Sequence, residues 1–410
     1  MSDVHIGAFR QEMLKEALLR AFDSAIDRCV EAGVDFVVMA GDVFDSNIPD
    51  LESVKRAASK IREAKESGMR FYVVYGSHDF SPNYASIVDV LEGAGLFTKA
   101  ERAFSREGKI GLEFVEDPSG MKLCGLSGKR LGLDLRDYEA LDPRDIEDEP
   151  GPKVFVFHGA IEEMKPEDLR EMRAMPASLL PAGFDYYAGG HVHRRALSSL
   201  PGRPNIAYPG PLFGGEFRDL EYIAGGGERG FYIVDFDTKV RRVEFVPAAT
   251  TGVTGLEYSA EGKSSERAYG ELRSLASSGD VGGKIVLLRV SGELSVGKTS
   301  DIDFGWLRRQ LEARGAVLAL TSFARLTSRE QADRAALPKP PNVTERQMFE
   351  SSIASVRAAE PSLTGAKGVD LSLRLLATLR EERRENEEQG PYQSRVERSA
   401  LKELGLEGIS

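Results

Sequence analysis

Between residues 71 and 79 the chain reads Phe71-Tyr72-Val73-Val74-Tyr75-Gly76-Ser77-His78-Asp79. The first five residues are apolar, β-branched or aromatic and predict a buried strand, and the last four form a polar turn. The strand delivers His78 at its carboxyl end, where the ligands of α/β sheets gather. The sequence therefore predicts a functional site at one edge of a sheet.

The same order, an apolar run and then a polar turn flanked by glycine, recurs three times. The turn residues are Asp42, His158, His191 and His193, which follow residues 34–39, 154–157 and 184–188. The chain has only 5 His in 410 residues, and the fifth, His5, lies two residues after Asp3 at the start of the chain. All five imidazoles are therefore candidates for one site.

Amphipathic helices are predicted around these strands. They cover residues 11–32, 51–67, 84–92 and 165–175. Strand, helix, strand, helix in this order is typical of an α/β layer structure with a partly parallel sheet. After a hairpin at residues 230–246, residues 248–323 are predicted to form a smaller α/β unit.

The C-terminal part of the chain has a different character. Residues 327–341 are polar and then proline-rich, which suits an extended linker. Residues 342–410 are predicted to be helical, and the helix from Asp370 to Glu387 carries five leucines on a broad apolar face. We expect this face to need a partner, because such a tail cannot easily bury it alone.

The composition excludes several classes of protein. A formal net charge of −11 argues against a protein that coats nucleic acid by bulk charge, although it leaves room for a local basic surface. No run approaches the roughly 18 apolar residues of a membrane helix, and the N-terminus lacks the pattern of a signal peptide. We therefore expect a cytoplasmic protein. Cys29 and Cys124 lie far apart in apolar runs, so we expect two core residues and no thiolate zinc site.

Carboxylate and imidazole groups are ligands that suit manganese, iron or zinc. Two such ions roughly 3.5–4 Å apart, bridged by a shared carboxylate, make a bridging water nucleophilic enough to hydrolyse phosphate esters. Each piece alone also has a purely structural interpretation. Gly-Asp after a strand is often only a turn, and Asp45 and Asp79 are more typical of turn-capping or supporting carboxylates than of ligands. The ordered set is more specific than any of its members.

Asp3 and His5 differ from the other candidates because no strand precedes them. In an extended segment, residues i and i+2 point the same way, so both side chains can reach one metal ion. A pair this close to a free terminus is expected to be poorly anchored. We therefore expect the natural start to lie upstream of Met1.

Taken in order, these motifs resemble those of the calcineurin-like metallophosphoesterases. The matching stretches are Asp3-Val4-His5, Gly41-Asp42, Gly76-Ser77-His78-Asp79, His158-Gly159 and Gly189-Gly190-His191-Val192-His193. Within that superfamily the chain is similar to the archaeal double-strand-break repair nucleases of the Mre-eleven/SbcD family, on residues 2–7, 41–45, 208–210 and 230–235. The resemblance implies a four-layer α/β/β/α sandwich over residues 1–246. It also implies a smaller α/β capping domain at 248–323 and a helical, partner-docking tail at 342–410.

The resemblance further implies two manganese ions at one edge of the sandwich. The implied ligands of the first ion are Asp3, His5, Asp42 and His193, and those of the second are Asp42, Ser77, His158 and His191. His78 is implied to face the scissile phosphate without binding metal, where it stabilises charge or protonates the leaving oxygen. Asp79 is expected to orient His78.

Position 77 departs from the family pattern, which more often has Asn there. A serine hydroxyl is a shorter and weaker ligand than an amide oxygen, so looser binding of the second ion is expected. The start of the chain is the other departure, and an extension upstream of Met1 is expected to raise activity.

The function implied by the resemblance is a manganese-dependent DNA nuclease that processes double-strand-break ends. Its activities would be 3′→5′ exonuclease on duplex DNA and endonuclease on single strands or hairpins. Arg241, Arg242, Lys284 and Arg289 around the capping domain are candidate phosphate contacts, with solvated charge as the plainer interpretation of each. The implied partners are DNA, an SMC-like coiled-coil ATPase of the Rad-fifty type that the tail docks onto, and a second copy in a homodimer. The implied location is the cytoplasm, in association with the nucleoid.

Two other functions stay open. The first is a phosphatase or phosphodiesterase that acts on a substrate other than DNA. Protein phosphatases of the superfamily continue Gly-Asp with Tyr-Val-Asp-Arg-Gly, whereas residues 43–47 read Val-Phe-Asp-Ser-Asn. The second is a weakly active structural subunit, against which the retention of all five His argues. For the tail, packing on its own catalytic domain is the alternative to docking.

Overall fold

The computed structural model describes residues 1–81, 85–129, 135–329, 345–353, 363–381 and 389–404. Contacts divide the chain into two units, Met1–Ser328 and Arg329–Ser410. None of the helices in these described ranges is long and apolar enough to cross a membrane.

The first unit contains all of the strands that the structure describes. They are β1 (Phe36–Ala40), β2 (Arg70–Val74), β3 (Thr98–Lys99), β4 (Ala103–Arg106), β5 (Lys109–Leu112), β6 (Val115–Glu116), β7 (Lys122–Leu126), β8 (Lys153–His158), β9 (Tyr186–Gly190), β10 (Ala196–Leu200), β11 (Arg203–Tyr208), β12 (Gly230–Phe236), β13 (Val240–Pro247), β14 (Val253–Ser259), β15 (Ile285–Leu294) and β16 (Leu318–Ser328). The helices of this unit are α1 (Glu12–Glu31), α2 (Leu51–Glu66), α3 (Ile87–Gly93), α4 (Leu135–Ala140), α5 (Arg144–Glu147), α6 (Phe217–Ala224), α7 (Ser265–Ser277) and α8 (Phe304–Ala313).

Two sheets face each other in the first part of this unit. Strands β1, β2 and β3 form a parallel sheet in that order. The second sheet has the order β10-β11-β9-β8-β7-β6, with parallel pairing from β11 to β7 and an antiparallel strand at each end. The carboxyl ends of β1, β2, β8 and β9 carry the polar turns that the sequence singles out.

The burial pattern of β1 and β8 explains how the layers stack. In β1, Val37 and Met39 pack into a core with α1 and α2, whereas Phe36 and Val38 face the second sheet. In β8, residues 154 and 156 belong to the core between the sheets, and residues 155 and 157 pack against α4 and α5 on the outer side. Alternate side chains thus point to opposite faces of both sheets. The predicted four-layer α/β/β/α sandwich is confirmed.

Local signals account for the helix boundaries. Asp50 caps α2, because its side chain accepts a hydrogen bond from the Ser53 N–H at 3.0 Å. Ser86 and Asp89 form a capping box at the start of α3. Gly33 has a φ of +65° directly after the end of α1, a conformation that glycine adopts without cost. The first three predicted helices are confirmed to within a few residues.

The helix predicted at residues 165–175 is wrong. The structure has only single 3₁₀ turns here, at Glu162–Met164 and Glu167–Leu169. The backbone of Met175 instead pairs with the chain after β8, donating to Ala160 O at 2.9 Å and accepting from the Glu162 N–H at 2.8 Å. This tertiary pairing draws the segment out of the helical path that its periodicity predicts.

The later part of the first unit has a core of its own. Strands β14, β15 and β16 form a parallel sheet, and α7 and α8 pack against it around Leu272, Leu288 and Leu307. Strand β14 and helix α6 were not predicted. The division into domains at residues 246–248 stays a prediction, because contacts join these parts within a single unit.

The second unit is helical where the structure describes it. Its helices are α9 (Glu345–Ile353), α10 (Gly365–Leu379) and α11 (Gln389–Glu403). Val369 and Leu371 of α10 are buried. Ion pairs join Arg374 of α10 to Glu403 of α11, and Arg380, directly after α10, to Glu345 of α9. The apolar face of α10 is thus covered in part by its own chain, more than we expected. Most of the predicted linker, residues 330–341, and the predicted end of the helix, residues 382–387, lie outside the described residues.

Candidate metal centre

The segment that holds Asp3 and His5 runs along the loop after β1. The N–H groups of Asp3 and His5 donate to the carbonyl oxygens of Gly41 and Asp42, each at 3.0 Å. Asp3 is 0% exposed and His5 is 2% exposed. The expectation that both residues are poorly anchored was wrong, because these backbone hydrogen bonds hold them.

Four of the candidate residues have a left-handed backbone. The φ angles are +51° at Asp3, +53° at His5, +49° at Asp42 and +84° at His191. The first segment is therefore not the extended strand that we expected. A residue with a side chain costs on the order of 1–3 kcal/mol in such a conformation, and strain of this kind clusters at functional sites.

One group of possible ligands consists of Asp3, His5 and His193, whose ligand atoms lie within 4.8 Å of one another. The Nε2 atoms of His5 and His193 are 3.1 Å apart, and His193 Nε2 is 3.7 Å from Asp3 Oδ1. The Nδ1 atom of His5 lies 3.2 Å from Asp45 Oδ1. A carboxylate only accepts hydrogen bonds, so it holds the proton on Nδ1 and leaves Nε2 bare. An Nε2···Nε2 distance of 3.1 Å is stabilised either by a proton shared between the two nitrogens or by a metal ion that both bind.

A second group consists of Asp3, Asp42 and His158, again with ligand atoms within 4.8 Å. Asp42 Oδ2 is 3.2 Å from His158 Nε2 and 3.9 Å from His5 Nε2. Asp42 therefore lies between the two groups, where a bridging carboxylate would lie.

Two buried atoms of the second group test whether the residues fit a metal ion. The His158 Nδ1–H donates to the carbonyl oxygen of Ala40 at 2.9 Å, which leaves Nε2 as the ligand atom. Within the described residues, neither His158 Nε2 nor Asp3 Oδ2 has a hydrogen-bond partner, although both are buried. Buried polar atoms are seldom left unpaired. A cation satisfies both, so the residues fit a metal ion.

His191 and Ser77 lie close to these groups but outside them. The His191 N–H donates to Asp3 Oδ1 at 2.9 Å, and the His191 ring centre is 5.2 Å from that of His158. Ser77 Oγ donates to Asp42 Oδ2 at 3.4 Å. Both residues border the second group, and their role as ligands stays a prediction.

His78 is the most open of the five imidazoles. Its side chain is 45% exposed, and its N–H donates to Asp42 Oδ1 at 2.7 Å. The Nδ1–H donates to the carbonyl oxygen of Asp45 at 2.8 Å, which turns Nε2 away from that loop. The ring stands edge-on to His5 with centres 4.8 Å apart, and with His5 and Asp42 it forms a further group within 4.8 Å. The imidazole is thus fixed beside the other ligands with one face open.

Asp79 does not orient His78 as we expected. Its carboxylate accepts the N–H groups of Val43 and Phe44 at 3.0 and 2.9 Å, and that of Gly76 at 3.2 Å. Burial and the charge of Asp42 raise the pKa of this carboxyl to about 6. Asp79 therefore ties the loop after β1 to the loop after β2, and the contact with His78 comes from Asp45.

Asp219 and Arg229 belong to the site and were missed by the sequence reasoning. Asp219, at the start of α6, places its Oδ1 and Oδ2 atoms 3.1 and 3.0 Å from His193 Nδ1. Arg229 donates to Asp219 Oδ1 and to the His193 carbonyl oxygen, both at 2.7 Å. Carboxylate and guanidinium are buried together. The one signal in the sequence was an acidic residue three positions after Glu216, which predicts a helix start but no site.

Electrostatics at the site favour a cation. Burial lowers the pKa of His158, but the charge of Asp42 and the hydrogen bond to the Ala40 carbonyl oxygen outweigh it and raise the pKa to about 10. The pKa of His5 is raised to about 9 in the same way, against burial, by Asp45 and Asp42. Burial and the charge of His158 lower the pKa of His191 to about 4. Without metal, protons occupy the places of the cations, so metal binding must release them.

The match to known proteins covers this site. A family model described as "Calcineurin-like phosphoesterase" matches residues 1–195, which include all five His. Residues 1–195 are thus similar to this family. The description of the family names phosphoesterases, and the matched residues include the groups of possible metal ligands described above. Asp219 and Arg229 lie beyond the matched residues.

Curated relatives extend the comparison. "DNA double-strand break repair protein Mre11" of Methanococcus maripaludis is 25% identical over 248 residues, which cover 57% of this chain and 62% of the relative. The protein of the same name from Methanopyrus kandleri is 27% identical over 58% of this chain and 53% of the relative. "Uncharacterized metallophosphoesterase YhaO" of Bacillus subtilis is 25% identical over 54% and 50%. The chain thus spans about half to three-fifths of the length of these relatives.

Proposed function

We propose that this protein is a manganese-dependent DNA nuclease that processes the ends of broken DNA. The observation that carries the proposal is the convergence of five imidazoles and two buried carboxylates from separate loops onto one edge of a phosphoesterase sandwich. The printed names of the archaeal relatives support DNA as the substrate. The activities proposed are 3′→5′ exonuclease on duplex DNA and endonuclease on single strands.

The proposed ligands divide into two sets that share Asp42. The first set is Asp3, His5, Asp42 and His193, and the second is Asp42, Ser77, His158 and His191. The central position of Asp42 Oδ2 and the unpartnered atoms of Asp3 and His158 support this division. When bound, the two ions supply a nucleophilic water and polarise the phosphate oxygens. Manganese suits the oxygen and imidazole donors, and none of the ligand groups found among the described residues contains a cysteine.

His78 is proposed to act on the substrate. Its Nδ1–H is held by the Asp45 carbonyl oxygen, so the orientation of the ring does not depend on a metal ion. The exposed Nε2 side of the ring is the side that a phosphodiester can reach. A protonated Nε2 there stabilises negative charge on the phosphate or donates its proton to the leaving oxygen.

Contact with DNA phosphates is not supported for three of the four basic residues that the sequence suggested. Arg242 pairs with Glu244, Lys284 with Asp280, and Arg289 with Glu221 and Glu257. Each charge is already balanced by its own chain, so the solvated interpretation fits these residues better. Arg241 remains the candidate of that set.

Partners are also part of the proposal. Ile48, Leu51 and Val90 are more than half exposed near the starts of α2 and α3, and the Ile87 N–H bonds to the Asn47 carbonyl oxygen at 3.1 Å. This apolar surface suits a homodimer formed through the early helices. The tail, residues 342–410, is proposed to dock on an SMC-like coiled-coil ATPase. A pull-down in which a chain without these residues still binds the ATPase would contradict that docking.

The test is cleavage of end-labelled duplex and single-stranded DNA by the purified protein with and without Mn²⁺. His78→Ala should bind Mn²⁺ as the unchanged protein does and lose at least ~100-fold in rate. Arg28→Ala, which removes only an exposed ion pair with Glu31, is the matched control and should cleave normally.

A phosphodiesterase with a substrate other than DNA is the alternative, and the uncharacterised relative from Bacillus subtilis leaves it open. Manganese-dependent hydrolysis of bis(p-nitrophenyl) phosphate without cleavage of any DNA would favour it. Two bound Mn²⁺ ions with no hydrolysis of either substrate would favour a structural subunit.

A further inference from the structure

The carbonyl oxygen of His193 accepts hydrogen bonds from two guanidinium groups. Arg229 Nη1 donates to it at 2.7 Å, and Arg194 Nη1 donates to it at 3.2 Å. The His193 ring is held separately, because its Nδ1 atom lies 3.0 Å from Asp219 Oδ2. His193 is therefore fixed at two points, its ring and its backbone. The second point depends on where the two guanidinium groups lie.

Both guanidinium groups lie over the ring of Tyr222. The Cζ atom of Arg194 is 4.4 Å from the ring centre, and that of Arg229 is 4.5 Å from it. The face of an aromatic ring attracts a cation within about 6 Å, and the attraction is stronger where water is excluded. The Arg194 and Arg229 side chains are only 15% and 2% exposed. The Tyr222 ring therefore helps to place both donors.

The charges around the two guanidinium groups show what the ring adds. The groups share one acceptor oxygen and carry like charges, which repel each other. Asp219 balances Arg229 at 2.7 Å, and both side chains are buried. Asp168 balances Arg194 at 2.8 Å, but its side chain is 54% exposed, so water screens this ion pair. The half-buried Tyr222 ring is the more sheltered of the two groups that attract Arg194.

Tyr222 is itself held in place. It lies three residues after Asp219 on α6, so both side chains point to the same side of that helix. The Gly227 N–H donates to the Tyr222 carbonyl oxygen at 2.8 Å. A Cβ at position 227 would lie 2.3 Å from the Cε1 atom of the ring, so the backbone of Gly227 packs directly against it. The ring thus has little freedom to move away from the two guanidinium groups.

We propose that Tyr222 is a positioning residue for the metal ligand His193. Its ring keeps the guanidinium groups of Arg194 and Arg229 at the His193 carbonyl oxygen, while Asp219 holds the imidazole. Helix α6 thereby fixes both the backbone and the ring of one ligand. Outer partners of a metal-ligating histidine typically change metal affinity 10–100-fold. The proposal rests on the role of His193 as a ligand in the proposed function.

The effect should be larger for one ion than for the other. His193 belongs to the ligand set proposed for the first ion, and its Nε2 atom lies 3.1 Å from His5 Nε2. His158, in the set proposed for the second ion, is held instead by the Ala40 carbonyl oxygen at 2.9 Å. Loss of the Tyr222 ring should therefore weaken the binding of the first ion and leave that of the second nearly unchanged.

The experiment titrates Mn²⁺ by calorimetry into the unchanged protein and three variants. Tyr222→Phe keeps the ring and should bind both ions as the unchanged protein does. Tyr222→Leu removes the ring and should weaken one ion at least ~10-fold. Tyr269→Leu is the matched control, because the Tyr269 ring also contacts a guanidinium group, that of Arg273 at 5.9 Å, but packs against the core of the later sheet. It should lower the midpoint of urea unfolding and leave both Mn²⁺ affinities unchanged.

Arg194→Lys covers the case in which Tyr222→Leu does not fold. A lysine keeps the positive charge, but its single ammonium group lacks the planar fork that reaches the His193 carbonyl oxygen and Asp168 together. It should therefore also weaken the same ion, by about 10-fold.

Three outcomes would overturn this proposal alone. Equal Mn²⁺ affinities for Tyr222→Leu and Tyr269→Leu would show that the Tyr222 ring only stabilises the fold. An equal loss for both ions would indicate a general loosening of the site. A loss in Tyr222→Phe as large as that in Tyr222→Leu would assign the effect to the hydroxyl group. If the unchanged protein bound no Mn²⁺, the proposed metal centre would fall as well, whereas normal Mn²⁺ binding without DNA cleavage would overturn only the nuclease activity.

Discussion

Replacing Asp219 with asparagine tests how much of the metal centre depends on a residue that binds no metal. Asp219 holds His193 Nδ1 with both oxygens and is itself held by Arg229. It also accepts the N–H groups of Gly215 and Glu216. Every group around the carboxylate is a donor. Asp219→Asn must therefore turn one amide NH₂ toward a donor and leave the Arg229 charge buried without a counter-ion.

Two losses follow, and they can be measured separately. Loss of a carboxylate that orients a ligating histidine typically costs 10–100-fold in metal affinity, about 1.4–2.7 kcal/mol. Breaking a buried ion pair costs roughly 3–5 kcal/mol of unfolding free energy, and the Arg229 and Asp219 side chains are 2% and 1% exposed. Titration calorimetry with Mn²⁺ measures the loss of metal affinity. Urea unfolding of the metal-free protein measures the loss of unfolding free energy.

Asp117→Asn is the matched control. Asp117 is also buried, pairs with Arg70 at 2.6 Å and accepts from the Tyr72 hydroxyl at 2.8 Å, but it contacts none of the candidate ligands. It should lose stability and keep its affinity for Mn²⁺. If Asp219→Asn bound Mn²⁺ as tightly as Asp117→Asn, the orienting role of Asp219 would be refuted, even with a large loss of stability.

Three further outcomes are expected. Gly76→Ala puts a Cβ 2.1 Å from Asp42 Oδ1, so it should abolish metal binding and lower the free energy of unfolding by about 2–3 kcal/mol. In the control Gly93→Ala the new Cβ meets open space on a helix, so the free energy of unfolding should rise by about 0.5–1 kcal/mol in urea titrations. Ser77→Asn should tighten the weaker of two Mn²⁺ sites in calorimetry, because an amide oxygen reaches further than a hydroxyl, and an unchanged second site would contradict this. In EDTA-treated protein, the raised pKa values of His5 and His158 should add to the free energy of unfolding. This contribution is complete below pH 6.5 and is lost as pH rises through about 9 and 10. The affinity for Mn²⁺ should rise over the same pH range, because fewer protons then compete for the ligands. Thermal melts across pH 6–10 with and without Mn²⁺ check both signs.

Part of the candidate site could be predicted from the sequence, because each polar turn at a strand end is marked by a short segment of the chain. A run of apolar residues ending in a polar turn marks a strand end, and four such turns at one edge of a parallel sheet must come together. That reasoning placed His78, Asp42, His158 and the His191–His193 pair near one another. The structure brings these residues to that edge.

Other features of the fold and the site could not be predicted from short segments of the sequence. Asp219 lies 26 residues after His193, and only the packing of α6 brings its carboxylate to that ring. The helix predicted at 165–175 failed because Met175 pairs with the chain after β8, a contact that periodicity does not contain. The basic residues of the later sheet lost their suggested role once their acidic neighbours were visible.

The sequence by itself determined the α/β class and the chemistry of the site, because strand and helix periods and the spacing of His and Asp are properties of short segments. The four-layer order came from the resemblance to a known family. The tertiary structure decided which atoms meet. It placed Asp42 between His5 and His158, and it left His158 Nε2 and Asp3 Oδ2 without a hydrogen-bond partner among the described residues. Distances of 3 to 4 Å between residues far apart in the chain depend on how whole sheets and helices pack, and no short segment of the sequence contains that information.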